Sequence, residues 1–237
     1  MVHDSRQRWE RLGAAQRRTE EIYVTLRDRI CLLHYQPGAK LSESELAAEF
    51  GVSRTPIRRS LLRLELEHLA ERRQGMQTVV TSFDFASLKD VYVIRMILEE
   101  QLDRLSPAPQ WWKIEEGYRA LRQQCEPLME SPDLEALGRL HLALQHEHAG
   151  IIENDRAREI LMQLYFQISR IWLSMVPRMD WRSEVESVAN ELDQSLEAIK
   201  QRDIRQLGRI RKEAIEANVK RLERLDAELE LEATREG

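Results

Sequence analysis

The stretch from Leu41 to Leu64, LSESELAAEFGVSRTPIRRSLLRL, leaves this chain little freedom in how it folds. Ser42 with Glu45 three residues on has the form of a capping box, opening a short helix through Leu46, Ala47 and Phe50. Gly51 then permits the tight turn that ends it. Ser53 reads as the cap of the next helix and Pro56 falls in that helix's first turn, where its missing N–H costs nothing. Ile57, Leu61 and Leu64 follow at i, i+4 and i+7 as a buried stripe. Two helices joined by about three residues form a helix-turn-helix. The second helix leaves Arg54, Arg58, Arg59 and Arg63 off its apolar face, the kind of surface a DNA major groove accepts. Arg54 and Arg58 suit base or phosphate contacts, and Ser53 and Thr55 suit phosphate positioning.

The flanks extend the pattern. Pro37-Gly38 precedes it, and two short strands, Leu69 to Arg73 and Thr78 to Thr81, follow around Gln74-Gly75. That hairpin makes a wing, with Arg72 and Gln74 placed for backbone contacts and Gly75 for close approach. Pro37-Gly38, GVSRTPIR, Leu64-Glu65 and QGMQTVV together resemble the N-terminal winged helix of GntR-family transcription regulators, over roughly residues 19 to 81. Arg59-Ser60 stands where that family usually has Glu-Ala, and His68 where it usually has Gly; the wing is short of glycine. These departures bear on base preference and wing geometry rather than on fold.

Charge is divided along the chain. The net charge is −5, yet residues 1 to 82 hold 14 Lys+Arg against 11 Asp+Glu, and the remainder 22 against 30. A net of +3 followed by −8 is expected if one module docks on phosphate and the other does different work. No apolar run approaches the ~20 residues that span a bilayer, and the N-terminus has no apolar signal core, so the expected location is the cytoplasm, with no membrane partner. Cys31 and Cys125 are too few for a disulfide framework and lie outside zinc-ligand spacing.

Residues 1 to 18, with a lone Trp9, are charged and nearly aperiodic and read as a mobile arm carrying Arg17 and Arg18. Thr19 with Glu20 and Glu21 reads as the start of a helix whose stripe is Ile22, Leu26, Ile30 and Leu33. Beyond Ser82 to Asp84 the spacing predicts only helices, near 84–105, 110–130, 133–152, 155–176, 183–201 and 203–232, with a charged tail that frays beyond Lys220. The fold class is thus mainly α: a winged helix-turn-helix at 19–81 and an all-α bundle at 84–232. Val91 to Leu98 and Glu191 to Asp203 resemble the all-helical effector domain of the FadR-type branch of GntR regulators. That resemblance implies an effector-binding, dimerising domain.

A ligand cavity in a helical bundle shows in sequence as polar residues on apolar stripes. Arg95 sits within Leu88, Val91, Tyr92, Leu98 and Leu102, so it is either paired with a carboxylate such as Glu99 or available to a ligand's carboxylate. His141 and His148 share a stripe with Leu134, Leu137, Leu144 and Ile151, and Asn218 lies among Leu207, Ile210, Ala214, Leu222 and Leu225. Trp111 and Trp172 suit packing first and a pocket wall second. Many relatives of this domain hold a divalent metal with an Asp-x-x-x-His pair and two further histidines. Here the Asp position carries Leu142 or Leu144, according to whether His146 or His148 matches the first histidine, and the other two carry Leu192 and Ala214. No metal cofactor is expected, because one nitrogen ligand cannot hold zinc.

The expectation is a homodimeric regulator that binds a double-stranded operator, acts as a repressor, and answers a small, anionic effector at Arg95, His141, His148 and Asn218. A ligand-blind DNA-binding protein, with these groups paired inside the core, is the alternative. An enzyme is disfavoured: HEHAG at 146–150 is not H-E-x-x-H, and there is no glycine-rich phosphate loop.

Overall fold

A computed structural model describes residues 13–73, 77–82, 85–106 and 109–236, with the backbone alone at 85–88, 230 and 233–236. Trp9, Gln74, Gly75 and the side chain of Leu88 lie outside the described residues. The chain divides into two compact units, Met1–Phe83 and Asp84–Gly237.

In the first unit α1 spans Ala14–Cys31, so residues 14–18, expected in an arm, are helical. Ala14 to Arg18 are strong helix formers, and Thr19, expected to start the helix, lies inside it and donates its hydroxyl to the Ala15 carbonyl at 2.9 Å. Ile22, Leu26 and Ile30 are buried and α1 packs on α3. Leu33 falls past the helix end, in the left-handed region at φ 60°. The two-residue strand β1, Lys40–Leu41, precedes α2, Glu43–Phe50. Ser42 caps α2 by accepting from the Glu45 N–H, one half of the expected box. Gly51, at φ 62°, makes the left-handed turn.

Helix α3 runs Arg54–Leu66 and buries Ile57, Leu61 and Leu64. Ser53 stands at its N-cap with extended backbone, but its side chain makes no capping bond, so the expected cap is positional only. Strands β2, Ala70–Arg73, and β3, Gln77–Val80, pair antiparallel with Ala70 opposite Val80. β1 joins the other edge of β3, giving the order β1-β3-β2. Two residues are too short to show alternation, so this third strand has no sequence signal. His68, at φ 61°, occupies the left-handed position after α3, which explains why glycine suits that site.

The second unit is helical: α4 Phe85–Glu100, α5 Leu102–Leu105, α6 Trp111–Glu130, α7 Leu134–Ala149, α8 Asp155–Met175, α9 Trp181–Lys200 and α10 Ile204–Glu236. A short 3-10 turn, Val176–Arg178, carries Pro177. The first expected helix is divided at Gln101, with no Gly or Pro to announce it. Asp133, Asn154 and Asp180 cap α7, α8 and α9 by accepting from backbone N–H groups at 2.9, 3.0 and 2.8 Å. The tail expected to fray continues as helix to Glu236. Helix α10 packs on α4 and α9, α6 on α9 and α7, and α8 on α4 and α7. Gly208 lets α10 approach α4 closely: a Cβ there would collide with the Glu99 carbonyl.

Helix α4 departs from its expected stripe. Among its described side chains Tyr92, Arg95 and Glu99 are buried, whereas Val93, Ile94 and Ile97 are exposed. Glu99 accepts at 2.5 Å from His148 Nε2, and Tyr118 donates at 3.0 Å to His148 Nδ1. A single neutral tautomer satisfies both bonds. Burial alone would raise the Glu99 carboxyl, but His148, Arg211 and Arg95 bring it down to about 2. Burial, with help from Arg211 and Arg95, pushes the His148 imidazole down despite Glu99, and burial with Arg211, Arg95 and Arg221 pushes His141 down to about 3.

A histidine whose folded pKa lies below its unfolded value binds its proton more readily in the unfolded chain. Its contribution to stability is therefore complete above the unfolded value, about 6.5, and is lost as pH falls below it. Stability of the helical unit, followed by denaturant melts between pH 7 and pH 5, is expected to fall with pH. Replacing either His141 or His148 with Gln is expected to flatten that slope, and an unchanged slope in both variants would contradict the assignment.

Candidate nucleic-acid interface and helical-domain cavity

Helix α3 meets α1 through its apolar face, so its N-terminal half is turned outward. Ser53, Arg54, Thr55, Arg58 and Arg59 are exposed. Arg54 and Arg59 make no hydrogen bond or ion pair among the described residues. Arg58 is clamped by Glu43 at the start of α2, its Nε 3.0 Å from Oε1 and its Nη2 2.7 Å from Oε2.

Arg63 departs from the expectation that four arginines share this face. Its guanidinium lies over the Tyr23 ring, 3.5 Å from the centroid, and donates to Glu20 at 2.7 Å and Glu67 at 3.0 Å. The Tyr23 hydroxyl donates to the other Glu67 oxygen at 2.5 Å. Arg63 fastens α3 to α1 and is committed within the protein. In the wing, Arg72 leans on Glu65 at 3.6 Å with nearly half of its side chain exposed. Gln74 and Gly75 lie outside the described residues. Sequence reasoning missed Glu43, because a pair fifteen residues apart has no periodicity. The available signal was an acid in the first turn of α2, beside the basic helix.

The helical unit encloses a cavity of about 40 Å³, lined from α4, α7, α8, α9 and α10. Three expected residues reach it: Arg95, His141 and Asn218. His148 does not; both its ring nitrogens are committed to Tyr118 and Glu99. Trp172 lines the wall and donates from Nε1 to Glu184 at 2.9 Å, while Trp111 is not among the lining residues. Arg211 pairs with Glu191, and Arg221 with Glu184 at 2.8 Å, each pair joining α10 to α9. Sequence reasoning missed all four, which lie among charges of the kind that usually mark a solvated face.

Arg95 behaves differently. It is buried, and its Nη2 donates at 2.7 Å to Gln145 Oε1, which also accepts from Arg211 Nη2 at 3.0 Å. Among the described residues no carboxylate lies within ion-pair distance of it, Glu99 included, and its Nε is without a hydrogen-bond partner. Burial brings the guanidinium down to about 10, still charged at neutral pH. The cavity wall carries Arg95, Arg211 and Arg221 against Glu184 and Glu191 with His141 neutral, and the ionised Glu99, which does not line the cavity, offsets the remaining charge from behind the wall. Asn218 Oδ1 is also buried without a partner.

The divalent metal held by many relatives does not fit here. Ala214 presents a methyl group to the cavity, Leu192 is fully buried, Leu142 and Leu144 are buried hydrocarbon, and the two carboxylates on the wall are already paired with Arg211 and Arg221. Among the described residues no group of three potential ligands is present.

Residues 18–80 match the model of the gntR family of bacterial regulatory proteins. The chain is 42% identical over 79 residues to an uncharacterised HTH-type transcriptional regulator of an unstable DNA locus in Streptomyces ambofaciens, covering 33% of this chain and 34% of that protein. It is 39% identical over 74 residues to the gluconate operon transcriptional repressor of Bacillus licheniformis, covering 31% and 30%. These matches thus span about a third of the length of the curated relatives. The fold extends further: Escherichia coli McbR/YncC superposes with a TM-score of 0.72 at 19% identity, covering 88% of this chain and 98% of that one. A GntR regulator structure from Rhodococcus sp. RHA1 gives 0.67 at 18%, covering 86% and 97%. The exposed N-terminal half of α3, the hairpin wing and the match over residues 18–80 agree: this segment is similar to the winged helix-turn-helix of the gntR family of bacterial regulatory proteins.

Proposed function

We propose that the chain is a sequence-specific DNA-binding transcription regulator, a repressor, that works as a homodimer and answers a small anionic effector held without metal in the helical unit. The observation that carries the DNA reading is the outward N-terminal half of α3, where Arg54, Arg58 and Arg59 stand beside the hydroxyls of Ser53 and Thr55. Arginine forks read guanine edges, and hydroxyls and the Arg72 side chain suit phosphates.

The effector reading is supported by Arg95. Arg211 and Arg221 are each in contact with a carboxylate, Glu191 and Glu184; Arg95, with the ionised Glu99 near but out of contact, has no bonded carboxylate. A carboxylate or similar anion supplies it. The cavity accommodates only a few atoms as it stands. A larger ligand must part α9 from α10 at their ion pairs, which gives it differential affinity for two arrangements of the bundle. Complete switching requires that difference to be on the order of several kcal/mol.

The dimer reading is supported by α4, whose Val93, Ile94 and Ile97 are about half exposed while Arg95 and Glu99 are buried. A helix that turns isoleucines outward beside exposed Lys89 and Glu100 is suited to a two-fold partner, and a pseudo-palindromic operator needs such an axis.

Three measurements test these readings. Arg54→Ala is expected to weaken binding to a duplex selected from a random pool by about tenfold or more, and to weaken random duplex far less; equal losses on both would remove Arg54 from base reading. The Ile94→Asp/Ile97→Asp variant is expected to be monomeric by light scattering at micromolar concentration and to lose cooperative operator binding. A dimer in that variant would place the interface elsewhere. In a panel of short mono- and dicarboxylates, at least one is expected to raise the melting temperature of the wild type and not of Arg95→Ala. No response across the panel would favour the ligand-blind reading.

A further inference from the structure

Glu43 is an acid placed where a DNA-facing surface would be expected to be basic. It opens α2, its side chain is about 29% exposed, and it receives Arg58 through a two-pronged bond. Its carboxyl is held below the usual carboxylate range, first by the hydrogen bonds from Arg58 and then by the charges of Arg58, Arg72 and Arg54. A carboxylate so surrounded stays ionised, and at a surface that approaches phosphates it repels them.

The geometry of the pair offsets that cost in a specific way. Arg58 spends the edge formed by Nε and Nη2 on Glu43. A guanidinium has five N–H groups, so three remain: both on Nη1 and one on Nη2. Nη1 and Nη2 form a second fork, the one that takes the O6 and N7 of guanine. Held by its first fork, Arg58 presents the second in a fixed direction, and little side-chain freedom is left to lose on docking. A duplex that satisfies the second fork compensates the repulsion from Glu43; one that offers only phosphate does not.

We propose that Glu43 is a specificity-determining positioning residue, which aims Arg58 at a base edge and penalises duplexes lacking the matching base. This rests on the reading of α3 as the DNA-contacting helix with Arg58 at the bases.

The test uses the full chain, a duplex selected from a random pool by the wild-type protein, and a random duplex of equal length. Glu43→Gln is expected to tighten random-duplex binding several-fold and to lower the ratio of selected to random affinity by roughly fivefold or more. Glu43→Asp keeps the charge but withdraws it by one methylene, so it is expected to lower the ratio with random-duplex affinity unchanged. In an Arg58→Ala background neither substitution is expected to lower the ratio further. Melting temperatures close to wild type check that both variants are folded. If Glu43→Gln tightens both duplexes by one factor, Glu43 is a bulk charge and the proposal is wrong. A drop in the ratio that persists without Arg58 also overturns it. An unchanged ratio in Arg58→Ala alone would instead remove the underlying assignment of Arg58, an outcome distinct from failure of Glu43.

Discussion

The stacking of Arg63 on Tyr23 fixes the rotation of the recognition helix, and the DNA-facing surface depends on that rotation. A helix packed only by Ile57, Leu61 and Leu64 against another apolar stripe can roll by a fraction of a turn at little cost. Arg63 removes that freedom. Its charge lies over the ring face, where the ring quadrupole attracts it, and two carboxylates, Glu20 from α1 and Glu67 from the end of α3, take its N–H groups. Tyr23 closes the circuit by donating to Glu67. With the inner side of α3 tied in this way, Arg54, Thr55, Arg58 and Arg59 have no direction left but outward. Arginine is required at this position for both planarity and charge; lysine could replace the charge but neither the stacking nor the two-sided bonding.

The helical unit meets the opposite problem, charge placed inside. Bringing Arg95, Arg211, Glu99 and Glu191 together in a bundle carries a large desolvation cost, which is tolerable because the groups bond to one another and to Gln145, His148 and Tyr118. Gln145 matters most in this arrangement. Its single oxygen accepts from both Arg95 and Arg211, holding two like charges side by side without neutralising either. Such a pair is stable only if negative charge lies close by: Glu191 bonds to Arg211, and the ionised Glu99 acts on both arginines through space. No carboxylate touches Arg95 itself, and its unpartnered Nε is the feature on which the proposed anion site rests.

Much of this was legible in the sequence where local rules govern. Gly51 and the Ile57, Leu61, Leu64 stripe located the helix-turn-helix, because caps and periodicity act within a few residues. Thr19 misled for a local reason: a threonine before two glutamates has the composition of a helix start, but five helix formers ahead of it had already begun the helix. Arg63 and Arg58 looked alike in sequence and became different in structure, since what separates them, Tyr23 and Glu43, lies forty and fifteen residues away. In the helical unit, Arg95 was visible as an interruption of its stripe, but its neighbours were not. Arg211, Glu184, Glu191 and Gln145 occupy helices rich in exposed charge, where one buried charge cannot be told from its solvated neighbours by spacing. His148 was placed on the correct helix face and in the wrong environment, because one face of a buried helix meets several partners.

The two sites share a logic. At each, arginines suited to an anionic partner are already engaged by glutamates of the same chain: Arg58 by Glu43, Arg211 by Glu191, Arg221 by Glu184. Binding at such a site is in part an exchange of one acceptor for another, so the net gain per contact is smaller than for an unengaged arginine. Selectivity improves in return, because a ligand that cannot offer the geometry of the fork it meets recovers none of the repulsion from the resident carboxylate. The consequence differs with burial. Around the exposed Arg58, solvent and salt screen the penalty, and the effect is a graded preference among duplexes. Around the buried Arg211, screening is weak, and replacement of Glu191 by a ligand anion removes an ion pair that joins α9 to α10. In the proposed function the same chemistry yields discrimination at the surface and a coupling between ligand and helix packing in the interior.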